Sequence, residues 1–501
     1  MVSMDSGASA AAPTHLWSLR EDVLVEDGPG QKRPVVVTKW GEFDIDSAAD
    51  VVLASLRRMS LGPISLENAL ARGRSTTDDT TGAVAIGGYR DGTRKEWAEL
   101  RQVLDLLSSS VVRSLGVGDG DSPVLSAVPI ARVASLRLPE VDHEQPVRLS
   151  RFAAIRPHDG ELLVESPLAQ YEVVLHRRLG SAVTTALSSP VSAREVAELL
   201  GEDPTMVAQI VAYLAGAGIV ELGERDERDD SVRFAQDSDP VLLRWSHHDL
   251  LFHTRSRMGH YGGQAGAVFP HADKLPTPEL VKPVRAGRRF GLYRPDIEDL
   301  IASDPPLTDV LENARLCEDL TDGALTAEQV GELLFRAARI RSVTSGSTGT
   351  DVRYDISDRP YLSIYGLYEL EVYVSAHRCA GVPRGTYHYD PQDHVLTLVN
   401  DSGPELDELL EGARLAARTT LQPPMLITLT ARVARSSWMY GGIGYSLALT
   451  HAGALQQTLC LVANAMGLAA CAPAVDPGDI TNSALRLDWP AEVGIGEFLV
   501  G

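Results

Sequence analysis

Residues 444–468, GYSLALTHAGALQQTLCLVANAMGL, contain no Asp, Glu, Lys or Arg. As a helix this stretch is about 37 Å long, so it must be hidden either in lipid or in protein. It carries His451, Gln456, Gln457 and Asn464. These polar groups fall at several angles around a helix, which fits burial in protein better than exposure to hydrocarbon. The fold therefore has to supply a core large enough to enclose one long apolar helix. The preceding segment, SSWMYGGIGYS (436–446), is also uncharged, with three aromatic residues and three glycines. It raises the question of whether Met439 is a packing residue or stands where chemistry wants something else.

A chain of 501 residues is too long for one core, and two to four domains are expected. The formal net charge of −22 disfavours nucleic acid and anionic membranes as partners; it suits a basic peptide. The four cysteines, Cys317, Cys379, Cys460 and Cys471, form no CxxC pair, so neither a zinc site nor a redox dithiol is expected. With no signal peptide, a reducing cytoplasm is the simplest setting. Four histidines, His247, His248, His253 and His260, fit no familiar zinc spacing, and Arg255 and Arg257 lie between the last two. No metal is expected.

The pattern predicts an α+β chain. Residues 1–14 read as a disordered terminus and 15–146 as an N-terminal α/β domain. There KRPVVVTKW (32–40) reads as a strand, 47–59 as a helix capped by Ser47, 75–83 as a polar loop and 96–115 as one helix. Residues 147–236 read as a winged-helix-like domain: a hairpin around HDG, then two helices, 192–201 and 204–222, with a strand after Gly218. Its acidic run ERDERDD (224–230) argues against DNA. Residues 237–294 form a connector with a proline-rich segment, FPHADKLPTPELVKP. From 295 to 501 helices and strands alternate. Thr326 and Gln329 form a capping-box signature, TYHYDPQDHVLTLV (386–399) a hairpin, and PMLITLTARV (424–433) a buried strand.

The order of several motifs resembles one family. RMSLGPISLENA (58–69), LSRFA (149–153), ESPL (165–168), HDLLFHTRSRMG (248–259), YELEVYV (368–374), TYHYDPQDH (386–394) and VGIGEFLVG (493–501) look like segments of SagB-type (thiazoline/oxazoline) dehydrogenases. These have a nitroreductase-like fold. The resemblance implies FMN-dependent oxidation of a peptide azoline to an azole in ribosomal peptide biosynthesis. It also implies a peptide substrate or leader peptide, cyclodehydratase subunits as partners, and a homodimer or a heterodimer with a related dehydrogenase, with FMN at the interface. By the same resemblance Tyr440 handles the proton, Arg315 anchors the flavin phosphate, Ser363 and Gln457 touch the ring, and the glycines before the long helix allow close approach to a planar ring.

Four motifs depart from that family. Met439 stands where the family has a lysine, and a thioether neither donates nor accepts a proton. In LENARLCEDL (311–320), Ala314, Leu316 and Glu318 replace an arginine, a serine and a second arginine of the phosphate motif; only Arg315 remains, with Arg339 and Arg341 as possible substitutes. In RPYLSIYGLYELE (359–371), Leu362, Ile364 and Tyr365 replace a proline and two glycines. In CAPAVDPGD (471–479), Pro473 and Pro477 remove amide donors where a glycine-rich loop is expected. Two functions are therefore carried forward. One is an FMN-dependent azoline dehydrogenase. The other is a flavin-deficient paralogue that acts as scaffold, leader-peptide binder or heterodimer partner.

Overall fold

The computed structural model describes residues 12–28, 32–45, 50–71, 91–118, 123–226, 231–257, 260, 263, 266–283, 286–347, 353–473 and 478–501. The expected cap Ser47, the loop 75–83 and Pro477 lie outside them. The chain divides into two compact units, Met1–Gln264 and Ala265–Gly501, and the division falls inside the stretch read as a connector.

The first unit is built on a six-stranded antiparallel sheet. Its order is Pro13–Leu19, Val111–Val117, Leu125–Pro129, Tyr171–Leu175, Glu161–Glu165 and Ala154–His158. The helix expected over 96–115 ends at Leu106; Ser108–Ser110 makes a short 3-10 turn, and Val111–Val117 is a strand. Three serines compete with the helical backbone for hydrogen bonds, and the β-branched valines after them favour extension. Asp159 and Gly160 close the HDG hairpin with φ of 47° and 85°, a turn that fits the twist of its strands. After the hairpin, where the sequence allows a helix or a further strand, Tyr171–Leu175 is a strand.

Helices Arg178–Ala186, Ala193–Leu200 and Pro204–Gly216 pack with that sheet around Val173, Val196, Val207, Val211 and Leu214. Ser192 and Glu195 form a reciprocal capping box, Gly201 ends that helix in the left-handed region, and Asp203 caps the next one. The strand Val220–Leu222 then pairs with Pro146–Leu149.

The second unit holds a seven-stranded sheet. Its order is Arg289–Gly291, Val395–Asn400, Gly385–Asp390, Leu370–Ala376, Met425–Arg432, Glu492–Val500 and Ala470–Cys471. Alternation sends Leu370, Val372 and Val374 to one face, with Ile427, Leu429, Phe498 and Val500. Helices Ala327–Ala338 and Gly444–Ala465 cover that face. The opposite face carries Tyr373, Leu426 and Leu499 against helices Gly403–Ala416 and Asp479–Ala484.

The long apolar helix buries Ala448, His451, Ala452, Leu455, Leu459 and Ala463, a stripe at three-to-four spacing. Tyr445 and Leu449 lie on its exposed side. Among the described residues no helix is long and apolar enough to cross a membrane. Leu459 is fully buried in the core on the 444–465 side of the sheet. Replacing it with alanine should cost about 2–5 kcal/mol, read as a drop in the urea midpoint of the second unit's transition.

Candidate functional site

Strand Met425–Arg432 ends in a helix, Val433–Met439, and the chain then extends through Tyr440–Gly441 before the long helix begins. Gly442 turns the chain with φ of 72°. At Gly444 an added Cβ would lie 3.3 Å from the Ser436 carbonyl carbon. The glycine lets the helix start close against the preceding turn. The glycine role that the structure shows is thus chain against chain.

Arg435 anchors this corner. The residue is 3% exposed, and its guanidinium donates five hydrogen bonds to four backbone carbonyls. It bonds Leu367 O at 3.0 and 2.7 Å, Pro278 O at 3.0 Å, Glu279 O at 2.9 Å and Asp355 O at 3.3 Å. Burial, then the neighbouring Arg432 and Arg359 charges, push its pKa down to about 10, so it is still a cation at neutral pH.

Met439 is a packing residue here. It is 1% exposed and sits with Leu367, Trp438 and Tyr440, flanked by Phe269, Tyr354 and Leu447. Tyr440 is 4% exposed, and its Oη has no hydrogen-bond partner among the described residues. Burial raises the phenol above its ordinary range, and Tyr365, Glu369 and Tyr354 add to the rise. The Tyr365 ring lies 6.4 Å from that of Tyr440.

Next to this corner a turn over 361–369 presents three uncommon features. Tyr365, Gly366 and Tyr368 have φ of 56°, 67° and 45°. Two of these are not glycine, so the turn holds conformations that cost energy and must be repaid by its contacts. Ser363 Oγ accepts from Tyr368 N–H at 3.2 Å, which makes it a turn former. Leu362 and Tyr365 are 66% and 70% exposed. They stand outward and do not fill an internal cavity.

The turn also reveals a pair that pattern reading missed. Ile364 N–H donates to His451 Nε2 at 2.9 Å, and His451 Nδ1 lies 2.8 Å from Glu369 Oε1. A main-chain donor at Nε2 leaves the proton on Nδ1, so a neutral imidazole donates to a buried carboxylate. Glu369 and His451 are each 1% exposed. Glu369 Oε2 has no partner among the described residues, nor does the nearby Tyr361 hydroxyl. Glu369 and His451 are separated by 82 positions in the chain, and no motif spacing joins them.

A second buried polar cluster lines the opposite face of the sheet. His388 Nε2 meets Glu371 at 2.8 Å, and Arg432 is 3.3 Å from the same carboxylate. Burial would raise Glu371, but the His388 hydrogen bond and the Arg432 charge outweigh it and hold the carboxyl below its ordinary value. Lys282 Nζ donates to Tyr373 Oη at 2.6 Å and pairs with Glu492.

The other expected cofactor residues lie apart from Tyr440. Arg315 N–H meets Asn464 Oδ1, and its guanidinium donates to Gly467 O at the far end of the long helix. Asn464 lies 13 helical steps beyond His451, about 20 Å. Gln457 is exposed midway between them. The substitute cations are occupied: Arg339 bonds Phe335 O, and Arg341 bonds Asp358 and Arg359 O. Leu316 and Glu318 are exposed, and Asp319 accepts from Leu316 N–H at 2.9 Å. A phosphate needs several free donors and positive charge. The described residues that the resemblance assigns to FMN do not fit one.

Two family models match the chain. The cyanobactin oxidase ThcOx model matches residues 147–262 and the nitroreductase model residues 320–489. The C-terminal unit is a nitroreductase-like α+β domain. A protein of Methanocaldococcus jannaschii that carries the nitroreductase name is 27% identical over 182 residues, which cover 36% of this chain and 82% of the relative. Solved structures are similar at low levels. A nitroreductase-named protein of Anabaena variabilis shows 19% identity and a TM-score of 0.35, covering 50% of this chain and 45% of the other. One from Ralstonia eutropha shows 22% and 0.33, covering 45% of this chain and 96% of the other. The E. coli microcin synthetase McbBCD complex with truncated pro-MccB17 bound shows 21% and 0.30, covering 36% and 65%. The chain thus spans under half of the Anabaena protein's length.

Tyr440→Phe tests the hydroxyl directly. A buried O–H without a partner is a net cost, so the phenylalanine variant should be as stable as the parent or up to about 1–3 kcal/mol more stable. Denaturant unfolding reads it; a loss of stability would mean that the hydroxyl has a partner.

Proposed function

We propose that this protein takes part in the oxidation of thiazoline or oxazoline rings to thiazole or oxazole on a ribosomally made peptide. In this reading it contributes the proton-handling half of a site whose FMN is anchored by a second chain, a related dehydrogenase. Three things support the reading: the matches to cyanobactin oxidase and nitroreductase models, the ordered motif resemblance, and the state of the site itself. The last carries it. Tyr440 Oη and Glu369 Oε2 are buried beside the turn without partners among the described residues, whereas Arg315 donates to the Gly467 carbonyl just past the long helix.

Aromatising an azoline removes a proton and a hydride equivalent. A flavin, when bound, supplies the hydride acceptor. This chain's residues serve the proton. Tyr440 can relay it through its hydroxyl. Glu369 can accept it at Oε2 while His451 holds Oε1 and fixes the carboxylate's orientation. The buried surroundings exclude water from both groups. The peptide or its leader docks on the acidic chain, cyclodehydratase subunits supply the azoline, and the setting is cytoplasmic.

The second reading is an FMN-dependent azoline dehydrogenase that works unaided. It is favoured by the complete sheet-and-helix scaffold and by Arg315, which remains in place. Flavin binding separates the two. The purified chain should be colourless and should take up little FMN; a yellow preparation that oxidises an azoline peptide alone favours the second reading. Ala314→Arg with Glu318→Arg restores two donors at exposed positions and should tighten FMN about tenfold or more, measured by flavin fluorescence quenching. In a mixed assembly with an active dehydrogenase, Glu369→Gln should lower turnover by about 10²–10⁴-fold on the general acid–base scale and leave assembly unchanged.

A further inference from the structure

Tyr365 occupies the left-handed backbone region, with φ of 56° and ψ of 20°. That conformation suits glycine, and a large aromatic residue held there is an outlier that costs energy. The next residue shows the contrast. Gly366 has φ of 67°, and a Cβ added to it would lie 3.1 Å from Ser357 O, so conformation and space both ask for glycine. At 365 the conformation asks for glycine as well, yet the chain keeps a tyrosine.

The Tyr365 side chain is not what fixes the turn. Ser363 Oγ accepts from Tyr368 N–H at 3.2 Å, and Ile364 N–H donates to His451 Nε2 at 2.9 Å. Tyr368 Oη lies 2.9 Å from Tyr361 O, and Arg435 donates to Leu367 O at 2.7 Å. Such over-determination lets a strained residue persist. The Tyr365 ring is exposed, as is Leu362 nearby on the turn. An exposed leucine is ordinary on a protein surface. An exposed aromatic ring kept in a costly conformation is not, and observed strain of this kind points to function.

Position supplies the chemistry of the ligand. The Tyr365 ring lies 6.4 Å from the Tyr440 ring, tilted by 35°. Tyr440 is buried, and its Oη has no partner among the described residues. Tyr365 is thus the open member of an aromatic pair at the edge of the candidate site. Aromatic rings prefer offset or edge-to-face packing, and a tyrosine ring offers such a face at low cost in side-chain freedom.

We propose that Tyr365 is a specificity-determining residue whose exposed ring stacks on the five-membered heterocycle of the peptide and seats it beside Tyr440. The proposal rests on the function proposed above. It names the heterocycle, rather than the uncyclised side chain, as what this chain recognises. The contact is non-covalent, and no proton or electron moves in it.

The full chain tests it by calorimetric titration with a synthetic peptide that carries one thiazole, and with the same peptide carrying an uncyclised cysteine. The parent should bind the thiazole peptide about fivefold more tightly, the scale of one aromatic stacking contact. Tyr365→Gly should lose that preference, and Tyr365→Phe should keep it. The glycine variant relieves the strained φ, so its urea midpoint should equal or exceed the parent's. A lower midpoint means that the ring serves the fold, and overturns the proposal. Limited nitration with tetranitromethane, mapped by mass, reads the contact separately. The thiazole peptide should slow nitration of Tyr365 and leave the exposed Tyr293 unchanged; equal protection of the two, or none, overturns the contact. A glycine variant that keeps the parent's preference sinks the assignment of Tyr365 and leaves the proposed function standing. A parent that shows no preference sinks both.

Discussion

The corner of the second unit depends on one guanidinium. Arg435 lies between three pieces of chain that share no local sequence: the connector at Pro278–Glu279, the strand at Asp355 and the turn at Leu367. Each offers a carbonyl, and the planar fork of arginine can satisfy several at once. Lysine has the charge but not the geometry. Burying such a cation is costly unless its donors are used, and here each nitrogen has at least one acceptor. The turn so held places Ile364 against His451 and Glu369 near Tyr440, so the candidate site inherits its shape from this buried cation.

Much of the architecture was legible because it follows from local rules. The Thr326–Gln329 capping box, the HDG hairpin, the 370–376 and 425–432 strands and the long helix all announce themselves through spacing of two or of three to four. The error at 96–115 arose where periodicity continued across three serines, and serine content outweighed it. The paired residues were not legible. Glu369 reads as one more acidic residue in an alternating strand, and His451 as a polar flaw in an apolar helix. Only the fold joins them. The same holds for Cys317 and Cys471, 154 positions apart and joined by a disulfide where no CxxC spacing pointed to a pair.

The site also separates two meanings of a lost motif. Met439 is well packed among Trp438, Leu367 and Tyr440, so the absence of a lysine leaves no hole. Arg315 matches the arginine that the resemblance assigns to a phosphate, and its guanidinium donates to the Gly467 carbonyl just past the long helix. Set against the resemblance, one position differs in residue type and is well packed, and the other matches in residue type and bonds a carbonyl of its own chain. Residue identity at a family position therefore does not decide function without the partner each group has chosen.

The imidazole of His451 is held at one nitrogen by a main-chain amide and at the other by the Glu369 carboxylate. Its tautomer is thus indifferent to which residue occupies position 364. Drift there can swap isoleucine for almost anything and the ring keeps its proton on the carboxylate side. Proline alone, having no amide hydrogen to offer, would erase the instruction. At Nε2 the orientation of this buried histidine is stored in backbone geometry, beyond the reach of most point mutations at position 364.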